Sequence, residues 1–212
     1  EAKLTPEKAF DSYKLSKIFY TDNEGNNKTY NTDVKLETQF YKDLEKYEDW
    51  QKISQEYAEN YRLVADIDFA GKANVNYNVL INRLEGTGDT KKVLKNIDIS
   101  LKGSDQSLIN NILSNINNIE FNNITITNTD TANVSRNGLI LYAHGNFSNV
   151  DFKNITLNMA KANYVAPLSF ERTSDLRDVY VENINVKGRD YIAGFIARAE
   201  TIGVTNITAK DV

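Results

Sequence analysis

Ile119-Glu120-Phe121-Asn122-Asn123-Ile124-Thr125-Ile126 is the stretch that decides the fold. Apolar side chains stand four and two places before Asn123, and one and three places after it. Alternation with a period of two marks a strand. Here the period holds on both sides but its phase slips at the asparagine, so two short strands meet at a bend. The phrase returns as Val150-Asp151-Phe152-Lys153-Asn154-Ile155-Thr156-Leu157 and as Val179-Tyr180-Val181-Glu182-Asn183-Ile184-Asn185-Val186. Asn96-Ile97-Asp98-Ile99 and Asn206-Ile207-Thr208-Ala209 carry its second half. The five asparagines lie 27, 31, 29 and 23 residues apart. A unit of this size, repeated this often, is the signature of a stacked solenoid.

A second segment aligns in the same way. Gly138-Leu139-Ile140-Leu141-Tyr142 matches Ala166-Pro167-Leu168-Ser169-Phe170 and Gly194-Phe195-Ile196-Ala197-Arg198. Each unit therefore reads as three short strands and three bends, one coil of a right-handed parallel β-helix of about five coils. Equivalent strands pair in parallel about 4.8 Å apart. At the bend, Asn96, Asn123, Asn154, Asn183 and Asn206 are expected to form a ladder of stacked amides. Asparagine tolerates the left-handed backbone region that such bends require. The Asn-x-Ser/Thr sequons at Asn123, Asn146, Asn154 and Asn206 are by-products of this pattern rather than glycosylation sites.

The β-helix is expected over residues 61–212, continuing or capped beyond the segment, with a helical flank over residues 1–60. Thr5-Pro6-Glu7 is a helix start, with Thr as N-cap and Pro at the first helical position. Phe10, Tyr13 and Ile18-Phe19 then share a helical face, and Thr21 to Asn27 is a loop. Phe40, Leu44, Tyr47, Trp50, Ile53 and Tyr57 recur at three- and four-residue steps, which predicts a capping helix over 36–60. Trp50 is the expected packing anchor rather than a sugar platform. From Tyr61 to Phe69 the period changes to two.

Net charge is -4 with a pI near 5.2. That argues against nucleic-acid binding, which wants a basic face. There is no cysteine and a single histidine, His144. No apolar run approaches the ~18 residues of a membrane span. The chain opens at Glu1, as expected of a mature fragment or an excised domain. Asp66 and Asp68 alternate on one strand, but a calcium loop needs more oxygens at closer spacing.

Glu48-Asp49-Trp50-Gln51-Lys52-Ile53, then Asn60 to Phe69, then the Gly-Leu-Ile and Asn-Ile repeats resemble the N-terminal β-helical region of the streptococcal immunoglobulin A-specific zinc metalloproteases and their surface relatives. The resemblance covers residues 45–212. It implies a large protein at the bacterial cell wall, outside the cell, whose zinc sits in a His-Glu-x-x-His helix. His144 is followed by Gly145 and Asn146, so that motif is missing here. The resemblance thus implies a non-catalytic module that positions substrate. No cofactor is expected in this segment, the zinc belonging to the parent catalytic domain. The expected partners are other domains of the parent and host immunoglobulin A. The alternatives are an adhesin module and a polysaccharide-degrading β-helix. The last needs acids and lysine gathered mid-face, whereas Asp151, Glu182 and Asp178 read as scattered.

If the coils stack in register, Tyr142, Phe170 and Arg198 form one column, and His144, Arg172 and Glu200 the next. Aromatic and arginine side chains are enriched in protein-binding hot spots, which makes this face the candidate binding surface. Ile109, Ile140, Leu168 and Ile196 form a third column on the same side. Four aliphatics in a row call for a cover, with residues 36–60 the nearest.

Overall fold

The computed structural model describes residues 13–36, 41–171, 174–199 and 202–212. The chain divides into two compact units, residues 1–41 and 42–212.

The first unit is a hairpin. Strands β1 (Tyr13–Thr21) and β2 (Asn27–Leu36) pair antiparallel, with Tyr13 opposite Leu36 and Thr21 opposite Asn27. The loop predicted at Thr21 to Asn27 is the turn. Asp22 Oδ1 accepts the backbone N–H groups of Glu24 and Asn26 at 3.0 and 2.9 Å, and Gly25 takes φ +83°. The helix expected through Tyr13 and Phe19 is not formed. Its start at Thr5-Pro6-Glu7 and Phe10 lies outside the described residues. A short helix has a costly nucleus. The aromatic and β-branched run Ile18 to Thr21 suits a strand, and the turn at Asp22 brings it a partner.

The second unit is a parallel β-solenoid of about five turns. Its elements are β3 (Lys42–Leu44), α1 (Tyr47–Trp50), β4 (Glu59–Leu63), β5 (Ile67–Asp68), β6 (Val79–Gly86), β7 (Lys92–Leu101), β8 (Gln106–Asn128), β9 (Val134–Ala143), β10 (Asn146–Asn158), β11 (Ala162–Glu171), β12 (Ser174–Lys187) and β13 (Ile202–Lys210). The helix expected over 36–60 shrinks to the four residues of α1. Leu44 instead pairs with Leu63, so the solenoid begins at β3 rather than at residue 61. Strand pairing has overridden a helical spacing that no long helix was there to use. Trp50 is the packing anchor that the sequence predicts. It is fully buried, stands edge-on to Phe69 at 5.8 Å, and donates its indole N–H to the carbonyl of Asn76 at 2.8 Å.

Each full coil has four straight segments rather than the predicted three. In one coil they are β9, then residues 146–148, 150–153 and 155–158 of the twice-bent β10. Pairing to the neighbouring coils skips Asn149 and Asn154, the two bends. The expected inward columns are all there. Ile119, Val150 and Val179 are level, as are Phe121, Phe152 and Val181, and every one is buried. Phe121 and Phe152 stack at 5.3 Å with ring planes 12° apart. Ile109, Ile140 and Leu168, expected on the outer side beneath a cover from residues 36–60, are instead level and fully buried within the core cluster, while Ile196 is half-buried against it.

The bends form two columns of left-handed residues. One holds Asn96, Asn123, Asn154, Asn183 and Asp211, at φ between +51° and +60°. The other holds Asn118, Asn149, Asp178 and Asn206, at φ between +52° and +58°. Asn206 therefore does not stack on Asn183, as the tetrapeptide alignment expects. Val179 pairs with Ile207, which sets Asn206 level with Asp178, and Asp211 takes the corner below Asn183. The ladder is also interrupted. Asn123 donates to Asn96 at 2.6 Å and Asn183 to Asn154 at 2.8 Å, but Asn154 donates sideways to Asn122 at 2.9 Å.

Most of these corner amides are in water, so the ladder is not a buried network. What fixes Asn154 is its φ of +54°, which alanine adopts poorly. Asn154→Ala is expected to cost about 1 kcal/mol, and Asn154→Gly a few tenths. Asn118 is different. It is buried and donates to the carbonyls of Gly86, Gly88 and Thr90 at 3.0–3.2 Å, fastening the loop before β7. Asn118→Ala should cost about 2–3 kcal/mol, since strain and lost hydrogen bonds add. Urea unfolding of the three variants checks the order. Equal losses at Asn154 and Asn118 would restore a uniform ladder.

Candidate functional site

The predicted face is built on β9 and β11. Phe170 pairs with Tyr142, and Leu168 bridges Ile196, so Arg198 continues that column as expected. Tyr142 is on β9, and His144 follows just after the strand's last residue, Ala143. Their rings are stacked at 6.0 Å, with planes 7° apart. The Arg136 guanidinium sits 5.2 Å from the Tyr142 centroid, held by Asp105 at 2.8 Å. Arg198 is exposed. The side chain of Phe170, and Arg172 and Glu200 altogether, lie outside the described residues. The face thus unites Tyr142, His144 and Arg136, the last unforeseen. A cation over an aromatic face, beside a second ring, is a surface suited to a protein partner.

A second cluster was missed by the sequence reading. On the outer side of the segments that follow the Asn118 and Asn149 corners, Glu120 lies level with Asp151. Tyr180 is level with Asp151 in the next coil. Lys153, two residues on, bonds Glu120 Oε2 at 2.6 Å and Asp151 Oδ2 at 2.9 Å. Lys91 reaches Asp151 Oδ1, and the Asn122 amide donates to Glu120 Oε1 at 2.8 Å. The Lys153 ammonium also stands 5.5 Å from the Tyr180 ring centroid. Burial works to lower the Lys153 pKa, but the hydrogen bonds to Glu120 and Asp151 outweigh it and hold the group above its ordinary value. The alignment that matches Ile119 with Val150 already contains this column. Comparing Asp151 with Glu182 instead of with Glu120 hid it.

Two carboxylates with a lysine between them resemble an acid–base site. Here all four carboxylate oxygens are occupied by Lys153, Lys91 or Asn122. A general base needs an oxygen within reach of a substrate proton. Lys153 ties Glu120 of one coil to Asp151 of the next. Glu182 and Lys210 extend the cluster into the last coil at 2.7 Å.

A third feature is an open concavity of about 440 Å³, lined by Arg83, Asn115, Asn117, Asn146 and Ser148. It is polar, and nothing aromatic lines it. Of Asp66 and Asp68, the first accepts the backbone N–H of Val93 at 3.0 Å and the second the Asn96 amide at 2.8 Å. Among the described residues no three His, Asp or Glu side chains gather where a metal ion would be held. No helix among them is long and apolar enough to cross a membrane. These features define a β-solenoid with an aromatic–cationic face on β9. Set against family models, curated proteins and solved structures, the chain matches none of them.

Proposed function

We propose that this chain is a non-catalytic scaffold module that positions a protein substrate for a larger enzyme. The observation that carries the reading is the engagement of every oxygen of Glu120 and Asp151, the acids best placed for chemistry. The resemblance to immunoglobulin A-specific zinc metalloproteases supplies the rest. On it, the parent is a zinc metalloendopeptidase at the bacterial cell surface and the substrate is host immunoglobulin A. Zinc resides in the parent's catalytic domain. Solenoids present extended surfaces suited to long partners, and the face around Tyr142, His144 and Arg198 is the contact.

The test is biolayer interferometry of the immobilised chain against immunoglobulin A. Binding is expected, with Tyr142→Ala plus Arg198→Ala weakening it about tenfold or more, as befits a hot spot. No binding at about 100 µM antibody would leave the module a spacer. The same preparation incubated with antibody and zinc should leave the antibody intact. Chelator-sensitive cleavage would overturn the non-catalytic reading.

A further inference from the structure

The outer side of the segments that end at the Asn118 and Asn149 corners carries a polar strip. Leu84, Ile116, Phe147 and Leu176 are level with one another and buried. Their chain neighbours therefore stand on the outer side. In the two middle coils these are Asn115, Asn117, Asn146 and Ser148. Arg83 and Glu85 flank them in the coil before, Asp175 and Arg177 in the coil after. β13 pairs with β12 beyond that, so the strip lies inside the stack. The open concavity of about 440 Å³ sits here, because four short side chains stand between two long arginines.

The charges of the strip are arranged unlike those around it. Arg62 is held by Asp43, Arg136 by Asp105 and Arg189 by Asp190. Arg83 and Arg177 are exposed, and among the described residues no acid pairs with either. The two carboxylates of the strip are turned elsewhere. Glu85 is buried, and its Oε1 accepts the Asn115 amide at 2.8 Å. Asp175 Oδ1 lies over Gly203 in the following coil, in space that a Cβ there would fill. The Asn117 amide and the Ser148 hydroxyl are half-buried and make no side-chain hydrogen bond among the described residues.

We propose that this strip binds an acidic oligosaccharide, laid along the solenoid axis with acid groups on Arg83 and Arg177. A guanidinium fork matches carboxylate or sulfate oxygens two at a time. The two arginines are three inter-coil steps apart, about 14 Å along the axis, so one ligand reaches both only if it is extended. Between them, amide and hydroxyl groups donate and accept, as sugar hydroxyls do. The lining offers no ring for a sugar face to stack on, so charge carries the affinity, and a neutral glycan is not the ligand. A peptide fits the strip poorly. Extended peptides add to an open sheet edge or seat side chains in apolar pockets. β6, β8, β10 and β12 are each paired on both sides, and Ile116, the apolar residue of the lining, is fully buried. The inference is independent of the antibody contact, which is built on β9 and β11.

Isothermal titration calorimetry of the whole chain tests this with three probes of matched length: a heparin oligosaccharide, an oligogalacturonate and a neutral galactan oligosaccharide. Saturable binding of an acidic probe is expected, and none of the neutral one. The tighter of the two acidic probes tells sulfate from carboxylate as the recognised group. Arg83→Gln plus Arg177→Gln should weaken binding at least about tenfold. Melting should not fall, because neither arginine holds an acid. Asn117→Ala should weaken binding about threefold or more. Lys102→Gln plus Lys161→Gln removes the same charge at exposed positions outside the strip and should leave the affinity unchanged. No binding of either acidic probe at about 1 mM overturns the proposal. Equal losses from the arginine and lysine pairs overturn it as well, by reducing the effect to net charge. A polyglutamate peptide that binds as tightly, and is lost in the arginine variant, overturns it by naming an acidic peptide as the occupant.

Discussion

Trp50→Ala is expected to destabilise the solenoid by about 3–5 kcal/mol, the usual cost of removing a buried aromatic. The side chain is fully buried, packs edge-on to Phe69, and donates to the Asn76 carbonyl. Truncation leaves a cavity and an unpartnered carbonyl together. Tyr47 also meets Phe69 edge-on, at 5.7 Å, and its hydroxyl donates to the Ala73 carbonyl. Stability in a solenoid is a sum of coil and nearest-neighbour terms. The loss should therefore appear first as early unfolding of the initial coils. Hydrogen exchange would show lost protection in β4 and β5, with β10 and β12 still protected. A loss under about 1 kcal/mol in urea unfolding would mean that Trp50 caps nothing.

Lys153→Met has the second large effect, about 2–4 kcal/mol at neutral pH. Among the described residues Lys153 is the one cation paired with both Glu120 and Asp151, and both acids are well shielded from water. Methionine keeps the stem's apolar contacts and strands Glu120 without an ammonium. The pH dependence follows from the raised folded-state pKa of Lys153. A raised value means that the contribution is fully present below the unfolded lysine value of about 10.4, and is lost as pH rises through the folded value. Wild type should lose melting temperature from about pH 10 upward. Lys153→Met should lose less over that range. Burial and the hydrogen bond to Glu59 also raise the Tyr61 pKa, so the phenol titrates in the same direction. It does so in both proteins, and the difference between their curves isolates the lysine. Parallel curves would show that Lys153 is solvated rather than paired.

The strand phase, the repeat and the inward columns were legible in the residues. A phase slip at asparagine is a local statement about which side chains share a face, and Phe121, Phe152 and Val181 stack as it requires. The register of β9 against β11 was legible in the same sense. Tyr142 and Phe170 are level because their segments align without gaps.

Register beyond that depends on loop lengths, and loop closure costs little per added residue, so local pattern does not fix it. The 23-residue step to Asn206 was the one irregular spacing, and the tertiary structure resolves it. Asn206 bonds Asp178, 28 residues earlier, in the other corner column. Both corners want a residue that tolerates positive φ, so chemistry alone did not distinguish them. Whether Tyr47 to Tyr57 became a helix was likewise decided by partners. β3 found β4, and the spacing that reads as a helical face serves Trp50 and Ile53 at a turn instead. The Glu120, Asp151 and Lys153 cluster exists only once coils stack, because it joins residues 31 and 33 apart in sequence across one inter-coil step. The sequence determined which side chains of each coil face inward. The tertiary structure decided which residues of one coil lie above which residues of the next, because that choice is made by packing between coils.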